Sequence, residues 1–415
     1  MLLGGKKSSD LSSAVIGRNN FVGLSAALFI AFCATNVSSD YSLSKVCPPG
    51  FLLDSGGKCR MKSLYQFYGS LHGQGLGGMK VGLPPHRDGF SPQQIDLGRL
   101  LFFDPVLSGG DNLSCANCHN PHLGFSDGMG RSVGSGGRIN KRSAPTLWNT
   151  AFWRTFFWDS RASTLEDQAL ESLFADDEMA THPDELVNDL RQIGDYDMLF
   201  QEAFPEHLPS QSSAISITNV VSALAAFQTS LISLNSAYDR YAHGDQDALT
   251  KNQVEGLNVF RSFVARCSQC HTPPLFTNQQ LAVIGTPEPE GLPRDVGAES
   301  TFSSPQLRGA FKIPTLRNIG NTAPYMHSGR FATLREAAEF YSKGRGHAVP
   351  KNEKLNLHWH ISEPNLSPEE LDRLVEFLEA LSDEAFMPII PEKVPSGLVT
   401  GVQKGTLSAS AGDRR

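Results

Sequence analysis

Two short strings, Cys115-Ala116-Asn117-Cys118-His119 and Cys267-Ser268-Gln269-Cys270-His271, share the pattern Cys-x-x-Cys-His. In a c-type haem site, two cysteines one helical turn apart bond the haem vinyl groups and the adjacent histidine binds the iron. A Cys-x-x-Cys pair alone also occurs in redox-active and zinc sites. Histidine makes up 12 of 415 residues, so its appearance after both pairs has a chance probability of about 0.1%. The strings therefore predict two covalently attached haems c.

The residues before each string follow a repeated helical pattern. Residues 91–101 begin with a Ser-Pro-Gln-Gln capping sequence and continue with leucines at helical spacing, and residues 250–260 begin with a Thr and Gln capping pair. Gly98 and Phe102 in the first stretch match Gly256 and Phe260 in the second. Alternating strand patterns are scarce. We therefore expect a mainly α fold with two cytochrome c-like helical domains, each with one covalently bound haem, plus irregular extensions.

Further helical patterns run through residues 184–204 and 215–241, and a capped amphipathic helix is predicted from Ser367 onward. Together with breaks at glycine-rich and polar stretches, these patterns predict five segments. They are a signal peptide over 1–39, an irregular disulfide-pinned extension over 40–87, an N-terminal cytochrome c-like domain over 88–243, a C-terminal one over 244–390, and a polar tail over 391–415.

The first residues resemble an export signal. Lys6, Lys7 and Arg18 precede an apolar stretch over 21–34, and small residues follow it. This pattern predicts a periplasmic protein with no stable membrane span after the signal peptide is cleaved. The alternative is that the segment is not cleaved and serves as a membrane anchor. In an oxidising compartment Cys47 and Cys59 are expected to form a disulfide rather than stay as free thiols. The formal net charge of −7 is spread without long runs and favours no nucleic-acid partner.

Three stretches resemble signatures of bacterial di-haem peroxidases: Phe157-Trp158-Asp159-Ser160-Arg161, Pro314-Thr315-Leu316-Arg317-Asn318 and Ala323-Pro324-Tyr325-Met326-His327-Ser328-Gly329. The resemblance covers about residues 91–381. Within the superfamily of di-haem cytochrome c peroxidases and MauG, it points to the MauG branch and particularly to MbnH-like enzymes. The resemblance implies that one haem reacts with hydrogen peroxide and the other stores or relays oxidising equivalents.

Tyr341 stands where cytochrome c peroxidases carry a methionine ligand to the second haem. A phenolate is a hard anionic donor that stabilises ferric and higher iron, whereas a thioether raises the iron potential. The resemblance therefore implies that His271 and Tyr341 bind the second haem iron. From pattern alone, Tyr341 packing on an apolar helix face is an equal alternative.

Ser135 stands where the resting peroxidases have a removable histidine ligand to the first haem. Serine is a poor iron ligand, so the first haem, held by His119, is expected to be five-coordinate and open to peroxide. His122 follows Cys118 too closely to act as a distal ligand.

Gln168 and Glu178 match the distal pocket of the family in type and in spacing from Trp158. Cleavage of the peroxide O–O bond requires a proton to move between the two oxygens, and a positioned carboxylate can carry it. Glu178 is therefore the candidate acid-base and Gln168 the candidate group that orients peroxide. Without the resemblance, Glu178 reads as part of a solvated acidic turn.

Trp158 matches an indole that lies between the two haems of the family and divides one long electron transfer into two short steps. Its alternative is a core aromatic among neighbouring phenylalanines. Arg142, Arg161 and Arg317 are candidates either for haem propionates or for structural ion pairs.

The family also holds calcium between the haems through a side-chain amide and two carbonyls. The corresponding positions here are Ser143, Thr322 and Pro324, so the expected Ca²⁺ has a weaker donor at the first position.

The function implied by the resemblance is peroxide-driven formation of a high-valent di-haem state that oxidises tryptophan in a periplasmic partner protein, with conversion to kynurenine in a copper-binding partner as the favoured form. Trp153 and Trp359 are candidate exit points for the oxidising equivalents. One alternative is a cytochrome c peroxidase that takes electrons from a small redox protein, and another is a non-catalytic di-haem electron carrier. His347, His358 and His360 lie close in sequence and are either a metal site or solvated loop residues.

Overall fold

Helices dominate the computed structural model, which describes residues 41–67, 83–205, 213–344, 346–383 and 385–402. In these ranges the helices are α1 (Leu64–Phe67), α2 (Pro92–Phe103), α3 (Cys115–Cys118), α4 (Leu165–Phe174), α5 (Pro183–Gln192), α6 (Gly194–Ala203), α7 (Ile217–Thr229), α8 (Ala237–Ala242), α9 (Lys251–Arg261), α10 (Cys267–Cys270), α11 (Ala298–Phe302), α12 (Leu334–Lys343) and α13 (Pro368–Glu379). The same ranges contain four three-residue strands in two antiparallel pairs, β1 (Phe51–Leu53) with β2 (Cys59–Met61) and β3 (Leu281–Val283) with β4 (Ala310–Lys312).

The helix that precedes each Cys-x-x-Cys-His string crosses a later helix at a glycine. A Cβ on Gly98 of α2 would lie 1.8 Å from the Ala223 carbonyl oxygen of α7. A Cβ on Gly256 of α9 would lie 1.9 Å from the Arg373 carbonyl oxygen of α13. The glycines therefore allow two matching backbone contacts, and the sequence repeat corresponds to a repeat in packing.

Two large hydrophobic cores lie within the single compact unit to which the described residues belong. The first is built mainly from α2, α5, α6 and α7 and buries Trp148 and Tyr196. The second is built from α9, α12 and α13 and centres on Phe260, Phe276 and Phe377. Each core lies beside one of the two strings.

Two of the long helical patterns are interrupted. The predicted helix over 184–204 divides into α5 and α6 at Ile193, just before Gly194. The predicted helix over 215–241 ends at Thr229 and resumes only at Ala237. Here Ser230 donates its hydroxyl hydrogen to the Phe227 carbonyl, a local bond that competes with continued helix. Each of the two helical patterns therefore corresponds to two helices rather than one.

The segments that flank the two cores are more ordered than their composition indicates. Cys47 and Cys59 form a disulfide across the β1–β2 hairpin, so this part of the extension is not irregular. At the other end, Val394 is fully buried in the first core. Ser396 donates its hydroxyl hydrogen to Asp104 at 2.6 Å. The predicted polar tail thus folds back on the first core as far as Val402.

The proposed signal peptide over 1–39 lies outside the described residues. Within the part of the chain that the structure describes, no helix is long and apolar enough to cross a membrane.

Candidate functional site

The first Cys-x-x-Cys-His string forms a short helical turn at the wall of a cavity. Cys115 and Cys118 lie on α3 without a disulfide between them, and both line the cavity with His119. His119 donates its Nδ1 hydrogen to the Phe125 carbonyl at 2.9 Å, which leaves Nε2 free to bind a metal. Burial lowers the pKa of His119 and so favours the neutral ring, the form that binds a metal.

The second string repeats this arrangement. Cys267, Cys270 and His271 line another cavity, and the cysteines again lie on a single turn, α10. The Nδ1 of His271 faces the carbonyls of Phe276 and Pro314 at 3.1 and 3.2 Å, and burial lowers its pKa to about 4. Paired free thiols beside a neutral histidine with one available nitrogen fit a covalently attached haem in both places.

Gln168 and Glu178 both lie in the wall of the cavity that holds His119. Burial raises the pKa of Cys115 to about 12, and the negative charge of Glu178 adds to that increase, so the carboxylate lies within electrostatic reach of the string. The Gln168 amide donates to the Ser172 hydroxyl at 2.8 Å. An amide and a carboxylate thus share one cavity with the histidine.

The chain holds Glu178 in place through the glycine-rich loop over 134–137. The backbone N–H of Ser135 donates to the Glu178 carbonyl at 2.7 Å. A Cβ on Gly134 would lie 2.0 Å from the Asp177 carbonyl oxygen, so this approach requires glycine. Ser135 therefore contributes a backbone contact behind Glu178. Within the described residues it is Gly134, not Ser135, that lines the cavity.

Tyr341 lines the second cavity together with His271. It lies on α12, which begins with a Thr333 capping box and packs on the second core. Burial raises the pKa of the Tyr341 phenol above its usual range. The two cavities therefore differ: one contains a tyrosine, the other an amide and a carboxylate.

Trp158 lies between the two cavities and lines both. Its indole N–H donates to the Ser143 carbonyl at 2.9 Å, and its backbone carbonyl accepts from Lys312 at 2.7 Å. The first bond holds the ring within the first half of the chain, and the second joins the Trp158 backbone to the second half.

The three candidate arginines all make ion pairs. Arg142 binds Asp159 at 2.8 Å and Asp295 at 2.7 Å, and Arg161 binds Asp159 and Glu171. Arg317 is buried and binds Asp239. Arg142 and Arg161 nevertheless line the first cavity, so they have both a structural partner and access to a bound group.

The three residues expected at calcium all line the second cavity: Ser143, Thr322 and Pro324. The Ser143 hydroxyl donates to the Met326 carbonyl at 3.1 Å, and the Ser143 carbonyl accepts from Trp158. Ser143, which stands where the family has an amide, is therefore already hydrogen-bonded to the protein. Its hydroxyl oxygen can still accept a bond or bind a cation.

Only two of the three neighbouring histidines come together in the described part of the chain. His358 and His360 lie near Cys270, with His360 Nδ1 at 3.9 Å from the Cys270 sulfur. His347 instead packs against Phe340 and donates to the Gly344 carbonyl. His122 is exposed, as expected for a residue that is not a ligand.

Trp359, between those two histidines, is 74% exposed, and its ring centroid lies 3.5 Å from that of His360. Trp153 is partly buried, with the Lys312 side-chain nitrogen 4.3 Å from the centroid of its ring. Of the two candidate exit points, Trp359 is the one that faces solvent.

Sequence reasoning missed Ser172, which lies between Gln168 and Glu178 in the cavity wall. A signal was present: Pro145-Thr146-Leu147-Trp148-Asn149 matches the Pro314–Asn318 signature, so residues after 145 repeat those after 314. The same reasoning also missed Asp295, which reaches Arg142 from the second half.

Comparisons with known proteins agree with this geometry. The sequence profile of a family described as di-haem cytochrome c peroxidase matches residues 92–247. The chain is 36% identical over 308 residues to the methylamine utilization protein MauG of Methylorubrum extorquens, covering 74% of this chain and 83% of that protein. It is 32% identical to cytochrome c551 peroxidase of Pseudomonas aeruginosa, covering 70% of this chain and 79% of that enzyme.

Among solved structures, the chain is similar to a MauG-like protein associated with microbial copper homeostasis. The TM-score is 0.67 at 32% identity, and the match covers 74% of this chain and 95% of that one. The sequence matches and the structural match each cover most of both chains. The chain therefore belongs to the di-haem cytochrome c peroxidase and MauG family of oxidoreductase enzymes.

Proposed function

We propose that this enzyme carries two haems c and uses hydrogen peroxide to oxidise tryptophan in a periplasmic partner protein. The difference between the two cavities carries the proposal: Gln168 and Glu178 accompany His119, whereas Tyr341 accompanies His271. We further propose one cytochrome c-like domain over 88–243 and a second over 244–390, each with one haem. Membership of an enzyme family sets aside the electron-carrier alternative.

In this proposal Cys115, Cys118 and His119 hold the first haem, and Cys267, Cys270, His271 and Tyr341 hold the second. Bound haem supplies an iron that reacts with peroxide and can store oxidising equivalents. Glu178 moves a proton between the two peroxide oxygens, and Gln168 orients peroxide by hydrogen bonding. Tyr341, an anionic oxygen donor when ionised, favours oxidised iron at the second site.

Trp158 is the proposed relay between the two sites. It lines both cavities, and its indole N–H is held by the Ser143 carbonyl. A fixed aromatic ring between two redox centres replaces one long electron transfer by two shorter ones.

Trp359 is the proposed exit toward the partner protein. Its ring contacts His360, and His360 lies 3.9 Å from the Cys270 sulfur, which would be bonded to the second haem. An electron taken from the partner therefore has a short path inward. The likeness to the MauG-like protein associated with copper homeostasis supports a partner connected with copper, and we propose that a tryptophan of this partner becomes kynurenine.

Calcium between the sites is also part of the proposal, with Ser143, Thr322 and Pro324 supplying oxygen donors. The three residues line one cavity, and oxygen donors suit this cation.

A second candidate is peroxide reduction with electrons from a small redox protein, and the 32% identity to cytochrome c551 peroxidase favours it. Tyr341 distinguishes the two candidate functions. As an oxygen donor it favours a second haem that stores an oxidised state, whereas the second candidate requires a haem that accepts electrons.

The deciding experiment is electron paramagnetic resonance of the purified ferric protein before and after one equivalent of peroxide. Our proposal expects one high-spin and one low-spin signal that vanish together. Two low-spin signals that do not respond to peroxide would refute it. In a parallel assay, fast steady-state oxidation of a reduced c-type cytochrome would favour the second candidate.

The exit residue can be tested without a known partner. With excess peroxide and no substrate, the wild-type enzyme should accumulate oxygen on Trp359, detectable by peptide mass spectrometry. The Trp359→Phe variant should keep its reaction with peroxide but lose that modification. Unmodified Trp359 in the wild type, with oxidation elsewhere on the surface, would exclude it as the exit.

A further inference from the structure

The two cavities are built by stretches that match position for position after the shared Pro-Thr-Leu-x-Asn sequence. Phe156 bridges Ala162 as Tyr325 bridges Phe331. Each stretch then enters a ten-residue helix, α4 or α12, through a threonine cap. Left-handed backbone occurs at equivalent positions in both stretches, including Phe157 and Met326, with φ of 64° and 72°. The match therefore extends into the helices that face the cavities.

This match pairs Ser172 with Tyr341. Ser172 is the eighth residue of α4 and Tyr341 the eighth residue of α12, and each lines the cavity beside its own helix. Four residues earlier, Gln168 pairs with Ala337 in the same way. The second cavity thus combines the large side chain of Tyr341 with Ala337. The first cavity combines the small hydroxyl of Ser172 with the amide of Gln168.

We propose that Ser172 is the positioning residue of the peroxide pocket: it leaves the ligand position of the first haem open and orients Gln168. This inference rests on the proposed function. A serine side chain lacks the ring that lets a tyrosine extend into the cavity, so the space that Tyr341 fills in the second site remains available for peroxide.

The contacts of Ser172 connect both groups that act on peroxide. Its hydroxyl accepts from the Gln168 amide nitrogen at 2.8 Å. Its carbonyl accepts from the backbone N–H of Met179 at 3.2 Å, the residue that follows Glu178. With its nitrogen bound, the Gln168 amide keeps its oxygen as an acceptor for the hydrogen of peroxide.

The first test is a double-mutant cycle on the complete haem-loaded protein with Ser172→Ala and Gln168→Ala, followed by stopped-flow absorbance after mixing with peroxide. We expect Ser172→Ala to slow the reaction about five- to tenfold, which corresponds to the loss of one hydrogen bond. Because Ser172 acts through Gln168, the double variant should be no slower than Gln168→Ala alone. The high-spin ferric signal and carbon monoxide binding should stay unchanged in Ser172→Ala.

Ser163→Ala is the matched control, since Ser163 is an exposed serine just before α4 whose hydroxyl bonds Asp167. It should react at the wild-type rate. A wild-type rate in Ser172→Ala, or additive effects of the two substitutions, would overturn the positioning role.

The second test is Ser172→Tyr, which installs the second-site residue in the first site. We expect the high-spin ferric signal to be replaced by a low-spin one, and carbon monoxide binding by the reduced protein to be lost. Persistence of both properties would overturn the proposed equivalence of Ser172 and Tyr341. If the wild type itself lacks a high-spin haem, the proposed function fails. If the wild type has a high-spin haem but the Ser172 variants do not show the expected changes, the proposed function stands and the inference about Ser172 fails.

Discussion

Alanine at either crossing glycine should destabilise the fold by an amount that the structure lets us estimate. At Gly256 the new Cβ would lie 1.9 Å from the Arg373 carbonyl oxygen, whereas ordinary contact begins near 3.4 Å, so α9 and α13 must separate locally by about 1.5 Å. Adding a methyl group to a packed core costs about 1–3 kcal/mol. The obstructing atom is backbone and cannot rotate away, so we expect about 3 kcal/mol, less about 1 kcal/mol because alanine favours helix. The net loss is about 2 kcal/mol.

The measurement is urea denaturation of the haem-loaded Gly256→Ala and Gly98→Ala variants, followed by far-ultraviolet circular dichroism and haem absorbance. Gly194→Ala is the matched control, because Gly194 begins α6 and a Cβ there meets nothing within 4 Å. The control should be unchanged or more stable by up to about 1 kcal/mol. If the crossing variants match the control, close backbone contact at these helix pairs does not limit stability and our reasoning fails.

Three further outcomes are expected. Glu178→Gln should slow the reaction with peroxide by about a hundredfold or more at unchanged haem content, because the proton carrier is lost; an unchanged stopped-flow rate would exclude that role. Tyr341→Phe should abolish the low-spin ferric signal of the second haem in paramagnetic resonance, and a retained signal would show another ligand. Burial lowers the pKa of Lys312 to about 7, so between about pH 7 and 10 this side chain binds a proton in the unfolded chain but not in the folded one. The wild type should therefore lose stability as pH falls from about 10 to 7, and Lys312→Met should flatten that dependence in urea denaturation; parallel profiles would contradict it.

The Cys-x-x-Cys-His strings and their leading helices could be predicted because all of their determinants are local. Spacing, capping pairs and the repeated Gly98 and Gly256 lie within a few turns of each string. The roles of Gln168, Glu178 and Tyr341 could be predicted only from the resemblance to a family. Nothing in the local sequence distinguishes a carboxylate in a cavity from one in solvent.

Other features depend on contacts between residues that are distant in sequence. Arg142 pairs with Asp295, which lies more than a hundred residues later in the sequence. The polar tail has no periodic pattern that would predict the burial of Val394. The interruption after Thr229 depends on the balance between helix and local hydroxyl bonds such as that of Ser230, which composition alone does not resolve.

The return of residues 394–402 to the first core has a consequence for the order of assembly. Val394 is buried in that core, and Gly401 lies so close to the Asn117 side chain that a Cβ would approach its amide to 2.3 Å. The first core contains Leu43 as well as Val394 and Val402, so it joins both extremes of the described chain, and contacts between residues so distant in sequence form slowly. Its packing cannot be completed until the second half has been synthesised. In our proposal haem is attached at Cys115 and Cys118, and attachment would consequently have a period in which the string is not yet covered by the tail.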